Sequence, residues 1–136
     1  MARQRPVSGS VPGGHNRADL LQKALASLNR ARRPAMPVQI LVAANACSDA
    51  TVAQMRAYQA QQSANRWLPL RVIEVPTPGK SHALNEAIPQ IESGLIAFVD
   101  DDHRVDPGYL TAIEQAASAW PDAGLYCGRI LPDWDG

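Results

Sequence analysis

Apolar positions change their spacing along the chain, and the changes mark out alternating helices and strands. Leu20, Leu21, Ala24, Leu25 and Leu28 recur at helical spacing behind Asn16, a suitable N-cap, and Pro34 bounds that helix. The run "VQILVAA" (38–44) lacks regular polar alternation, as a strand covered on both faces should. Ser48 or Asp49 can then cap a second helix, with Val52 and Met55 on one face and Tyr58 at its edge. "LRVIEV" (70–75) predicts a strand, "PTPGKS" a turn, and "SHALNEAIPQI" a short helix that Pro89 ends or kinks. "LIAFVD" (95–100) predicts another strand, residues 107–120 a helix with Pro107 in its first turn, and "GLYCGRI" (124–130) a last strand. Residues 1–14, "MARQRPVSGSVPGG", are rich in Gly, Pro and Ser and read as a flexible arm or a degenerate first strand.

Such alternation predicts an α/β fold: a Rossmann-like, mostly parallel sheet with helices on both faces. Ligands of these sheets bind beyond the carboxyl ends of the strands. Three polar clusters fall at such ends: "NACSD", "TPGKS" and the aspartates of "AFVDDDHRV". One ligand can touch all three.

Composition narrows the choice of partner. At 136 residues the chain is one domain, and 13 Lys plus Arg balance 13 Asp plus Glu, so no global charge calls for nucleic acid or an anionic membrane. Seven basic residues lie in the first 33 positions, which a solvated arm and helix face explain. No stretch approaches the roughly 20 apolar residues of a transmembrane helix. Cys47 and Cys127 lack metal-type spacing and no signal peptide precedes them, which predicts a reduced, cytoplasmic setting.

Asp100, Asp101 and Asp102 repel one another unless a cation, a donor cluster or bulk water relieves them. A strand-end acidic group suits Mg²⁺ or Mn²⁺, hard ions that leave coordination positions for water and phosphate oxygens. Strand alternation sends Asp100 and Asp102 one way and Asp101 the other. Solvated aspartates capping the next helix are the simpler alternative. Lys80 lies in a Gly-containing turn that opens a helix and can face a phosphate. The spacing is not that of a P-loop, since Glu74 stands where its first Gly belongs, and a plain surface turn is the alternative. Asn45 can offer its carboxamide to a nucleobase edge, or simply hold a turn. His82 and His103 receive no role, Cys47 reads as packing, and among the tryptophans Trp134 alone is placed for an acceptor to stack on.

Together, "VAANACSDAT", "GKSHALNEAI" and "AFVDDDHRVDPGYL", in this order and at these intervals, resemble the nucleotide-sugar half of family 2 glycosyltransferases with the GT-A fold. The family's strand-end "DDGSTD" is similar to "ANACSD" here, which places Asn45 where a base-binding Asp is common. Lys80 and Asn85 match the family's G-K-x-x-A-L-N segment near the nucleotide, and Asp100 and Asp102 match its Asp-x-Asp motif. Pro12 matches the opening "VSVVIPTYNR", as do Asn16 and Arg17 with one residue inserted, whereas Gly9, Gly13 and Gly14 depart from it and weaken the first strand.

The resemblance implies a partial glycosyltransferase domain over 15–136, incomplete at its C-terminus. Pro12, Asn45, Lys80, Asp100 and Asp101 would bind a nucleotide-diphospho-sugar donor, and Asp100 and Asp102 would bind Mg²⁺ or Mn²⁺. The activity implied is inverting transfer to an acceptor hydroxyl on a glycan, lipid or small molecule. "GRILPDWDG" looks like the approach to the family's acceptor half, and no residue matches its catalytic base. A catalytically inactive nucleotide- or metal-binding fragment, and a nucleotidyltransferase on a similar sheet, are the alternatives.

Overall fold

A computed structural model describes residues 5–12, 17–46, 49–92 and 94–134. Strand β1 (Arg5–Pro12) leads to helix α1 (Arg17–Arg30), strand β2 (Val38–Asn45), helix α2 (Asp49–Gln61) and strand β3 (Leu70–Val75). Helix α3 (Lys80–Ala87) passes into a 3₁₀ turn at Ile88–Gln90, followed by strand β4 (Ala97–Phe98) and helix α4 (Tyr109–Ala119). The expectations placed on Asn16, Cys47, Ser48 and the side chain of Pro12 lie outside the described residues.

The sheet order is β3-β2-β1-β4, and every pair is parallel. β1 occupies the centre and pairs along its whole length, from Arg5 opposite Val38 to Pro12 opposite Asn45. Backbone pairing from two sides holds the segment as a strand despite its weak β propensity.

Side-chain alternation along β2 divides the core between the two faces of the sheet. Ile40 and Val42 face a layer made by Leu21, Leu25 and Leu28 of α1, Met55 and Tyr58 of α2 and Leu110 of α4. Leu41 and Ala43 face α3, which contributes Ala83 and Ala87, both fully buried. Burying each large aliphatic side chain stabilises the fold by about 1.5–3 kcal/mol, whereas the alanines of α3 act mainly by letting the helix approach the sheet closely.

Tyr58 joins these layers through polar bonds. Its hydroxyl donates to the Leu68 carbonyl at 2.9 Å and accepts from Asn29 Nδ2 at 2.9 Å. Asn29 Oδ1 accepts the Leu68 N–H at 2.8 Å, so one carboxamide and one phenol tie α1 and α2 to the chain entering β3. Burial pushes the Tyr58 phenol above its ordinary value of 10.0, and the Asn29 bond and the Arg33 charge oppose that shift only in part. The neutral phenol is therefore the form the fold favours. Its stabilisation is complete below the unfolded value and is lost as pH rises through the folded one. We expect stability to fall more steeply above pH ~10 in the wild type than in Tyr58→Phe, which should start about 1 kcal/mol less stable at neutral pH. Urea titrations from pH 8 to 11 check this; parallel pH profiles would contradict it.

Two sequence expectations are corrected at the C-terminal side. Residues 95–100 contribute only a two-residue strand, Ala97–Phe98, and 124–130 has no regular secondary structure. β4 pairs only with β1, and among the described residues no strand lies beside 124–130. A strand exists through its partner, so apolar composition alone does not produce one. Leu125, Ile130 and Leu131 are accordingly exposed. The helix expected over 107–120 runs over Tyr109–Ala119, and Pro89 ends α3 by falling in the 3₁₀ turn. Among the described residues no helix is long and apolar enough to cross a membrane.

Candidate functional site

Asn45 ends β2 and is 4% exposed. Its Nδ2 donates to the Thr77 carbonyl at 2.6 Å and its Oδ1 accepts the Gly79 N–H at 2.7 Å, fastening the end of β2 to the turn after β3. One donor and one acceptor are needed at these two places, which fixes the orientation of the carboxamide. Ala46 follows in the left-handed region at φ 47°, with its N–H donating to Val75 O at 2.9 Å. An L-residue there costs about 1–2 kcal/mol, and Ala46 occupies the position of the glycine in "DDGSTD". Gly79 has φ 124°, and a Cβ there would meet His82 Cδ2 at 3.3 Å, so conformation and space both favour glycine.

The turn delivers Lys80 to the start of α3, whose N-terminus has no side-chain cap and leaves first-turn N–H groups for water or an anion. Lys80 Nζ lies 2.6 Å from Asp100 Oδ1, both side chains being about half exposed.

The three consecutive aspartates meet three different surroundings. Asp100 pairs with Lys80. Asp101 is buried at 4% exposure and accepts from Arg17 Nη1 through both oxygens, at 3.3 and 3.2 Å. Asp102 is 60% exposed, with one oxygen 3.9 Å from His103 Nε2. Adjacent carboxylates thus alternate in direction, and two of the three charges are met by basic side chains brought from the starts of α1 and α3.

Asp100, Asp102 and His103 each offer a ligand atom, all within 4.8 Å of one another. Two carboxylates and an imidazole form a donor set suited to a divalent cation such as Mn²⁺, with room for water and phosphate oxygens. The fit rests on this convergence of donors together with their access to solvent. Sequence pattern alone assigns His103 no role; its one signal is its place directly after the aspartates. A turn brings it back, its N–H donating to Asp100 O at 3.0 Å. His82 is exposed beside Gly79 and joins neither cluster. Arg104, directly after His103, forms an ion pair with Asp133, which links the segment bearing the exposed Trp134 to the aspartate loop.

Lys80, Asn45 and the aspartates therefore gather at the carboxyl edge of a parallel sheet covered by helices, the arrangement of the GT-A-type α/β fold. The chain belongs to Glycosyl transferase family 2, whose family model matches residues 15–136. Solved structures share the fold. S. aureus TarS 1–349 in complex with UDP aligns with a TM-score of 0.69 and 20% identity over 98% of this chain and 38% of that one. The mannosyltransferase PcManGT from Pyrobaculum calidifontis, in complex with GDP-Man and Mn²⁺, aligns with a TM-score of 0.65 and 23% identity over 90% of this chain and 33% of that one. This chain thus spans about a third of the length of these two structures. No curated protein matches it at a significant level.

Proposed function

We propose that this chain binds a nucleotide-diphospho-sugar together with Mg²⁺ or Mn²⁺ at the carboxyl edge of its sheet, as the donor side of sugar transfer to an acceptor hydroxyl. The observation that carries the reading is the convergence of Lys80, Asp100, Asp102 and His103 from two strand-end loops of a family 2 domain. Asp100 and Asp102 are the metal ligands, with His103 the third donor within reach. A bound divalent cation supplies neutralisation of the diphosphate as it leaves.

Lys80 donates to a phosphate oxygen once the ligand draws its ammonium from Asp100, adding a fixed positive charge where negative charge develops. The transfer forms a bond from the acceptor oxygen to the anomeric carbon and breaks the bond from that carbon to the diphosphate. The hydroxyl proton passes to a base. Pro12, Asn45 and Asp101 complete the donor side; Asn45 shapes the turn that carries Lys80, and buried Asp101 holds the aspartate loop to the start of α1 by its bond with Arg17. The solved structures with UDP and with GDP-Man and Mn²⁺ support a donor of this chemical class.

Calorimetric titration of UDP and GDP, each with Mn²⁺ and with chelator, tests the reading. Binding of one nucleotide should strengthen with Mn²⁺, and Asp102→Ala should weaken that metal-dependent binding about tenfold, since Asp100 and His103 remain. If folded wild type binds neither nucleotide, the donor site is not functional in this chain.

A further inference from the structure

We propose that Arg17 is a positioning residue of the metal site, acting through buried Asp101 to hold Asp100 and Asp102 in the arrangement that a divalent cation needs. The inference rests on the reading of Asp100, Asp102 and His103 as the metal ligands.

Arg17 opens α1 and Asp101 lies in the loop after β4, so their bond joins segments 84 residues apart in sequence. The same two stretches of chain meet again farther on. Farther along, Ser27 Oγ accepts the Val105 N–H at 3.1 Å while donating to Ala24 O at 2.7 Å. Beyond the end of the helix, the Arg32 N–H donates to Pro107 O at 2.8 Å. The contacts occur in the same order along both segments.

These bonds anchor the loop to α1 within and just beyond the turn that His103 closes onto Asp100. The anchor nearest the metal ligands is the charged pair. Asp101 has almost no access to water, so loss of Arg17 would leave a buried carboxylate without its counter-charge. That carboxylate would turn outward for solvation and carry its two neighbours with it.

Charge and positioning predict opposite signs here, which makes the inference testable. By Coulomb's law alone, removing a cation beside an acidic site should tighten binding of a second cation. If Arg17 positions the site, its removal weakens that binding.

The experiment measures Mn²⁺ affinity directly, from the free-ion paramagnetic resonance signal, for wild type, Arg17→Gln and Arg17→Lys, with thermal melting of each. Arg17→Gln should bind Mn²⁺ about tenfold more weakly than wild type while still melting cooperatively. Arg17→Lys keeps the charge but loses the guanidinium geometry, and should fall between them, about threefold weaker. Wild-type or tighter Mn²⁺ binding by folded Arg17→Gln overturns the proposal, as does a variant with a lowered melting temperature and unchanged affinity. Should Arg17→Gln not fold, wild-type affinity in Arg17→Lys overturns it equally. Failure of wild type itself to bind Mn²⁺ would instead refute the reading of the metal site.

Discussion

Lys80→Met is expected to weaken nucleoside diphosphate binding in the presence of Mn²⁺ by roughly 10- to 100-fold, the loss of one charge-assisted bond worth about 1.5–3 kcal/mol. The same change is expected to tighten Mn²⁺ binding in the absence of nucleotide. In the free protein the Lys80 ammonium lies 2.6 Å from Asp100 Oδ1, so it already holds an oxygen on which a metal ion would draw. A lysine and a divalent cation drawn to the same carboxylate, about 4 Å apart, repel each other by about 2 kcal/mol even where water screens them well. A diphosphate resolves the conflict because it gives the ammonium another acceptor. Metal and nucleotide should therefore bind with positive coupling in wild type, and the coupling should shrink in Lys80→Met. Titrating Mn²⁺ with and without saturating UDP or GDP, in both proteins, measures it. Losses of both affinities in parallel would mean that Lys80 merely supports the fold.

Asn45→Ala is expected to destabilise the domain by about 2–4 kcal/mol, since it leaves the Thr77 carbonyl and the Gly79 N–H without their partner at a nearly buried position. Equilibrium urea unfolding gives the number directly. Asn45→Asp, which restores the residue common at this place in "DDGSTD", is expected to destabilise rather than to improve nucleotide binding. A carboxylate still accepts from Gly79, but it sets an oxygen against the Thr77 carbonyl, where the carboxamide now donates. An Asn45→Asp variant as stable as wild type would show that the turn rearranges without cost.

Aspartate triplets are ambiguous in sequence because spacing cannot say which charges are already met. Alternation separated Asp101 from its neighbours, and the structure has Asp101 buried on Arg17 while Asp100 and Asp102 remain accessible. The partners themselves were hidden, since Arg17 is 84 residues from Asp101 and Lys80 is 20 residues from Asp100. Only chain topology sets such pairs side by side. Asn45 shows the same limit: its position at a strand end was legible, but the two backbone groups that claim its carboxamide belong to another loop.

Local patterns behaved differently according to how much they depend on neighbours. The helical repeat of Leu21, Ala24, Leu25 and Leu28 and the apolar run of β2 determined their own elements, because one face or both faces of each must be buried whatever the arrangement around them. The segment "GLYCGRI" has strand composition without a strand to pair with and stays irregular and largely exposed, whereas the Gly-containing "RPVSGSVP" is central because β2 and β4 flank it. By itself the sequence determined the alternation of elements, the placing of polar clusters after strands and the family motifs, all of which follow from short-range periodicity and residue chemistry. Tertiary structure alone decided which strands pair, which basic residue meets which aspartate and which carboxylates stay open to solvent, because each depends on groups far apart in the chain being held at bonding distance.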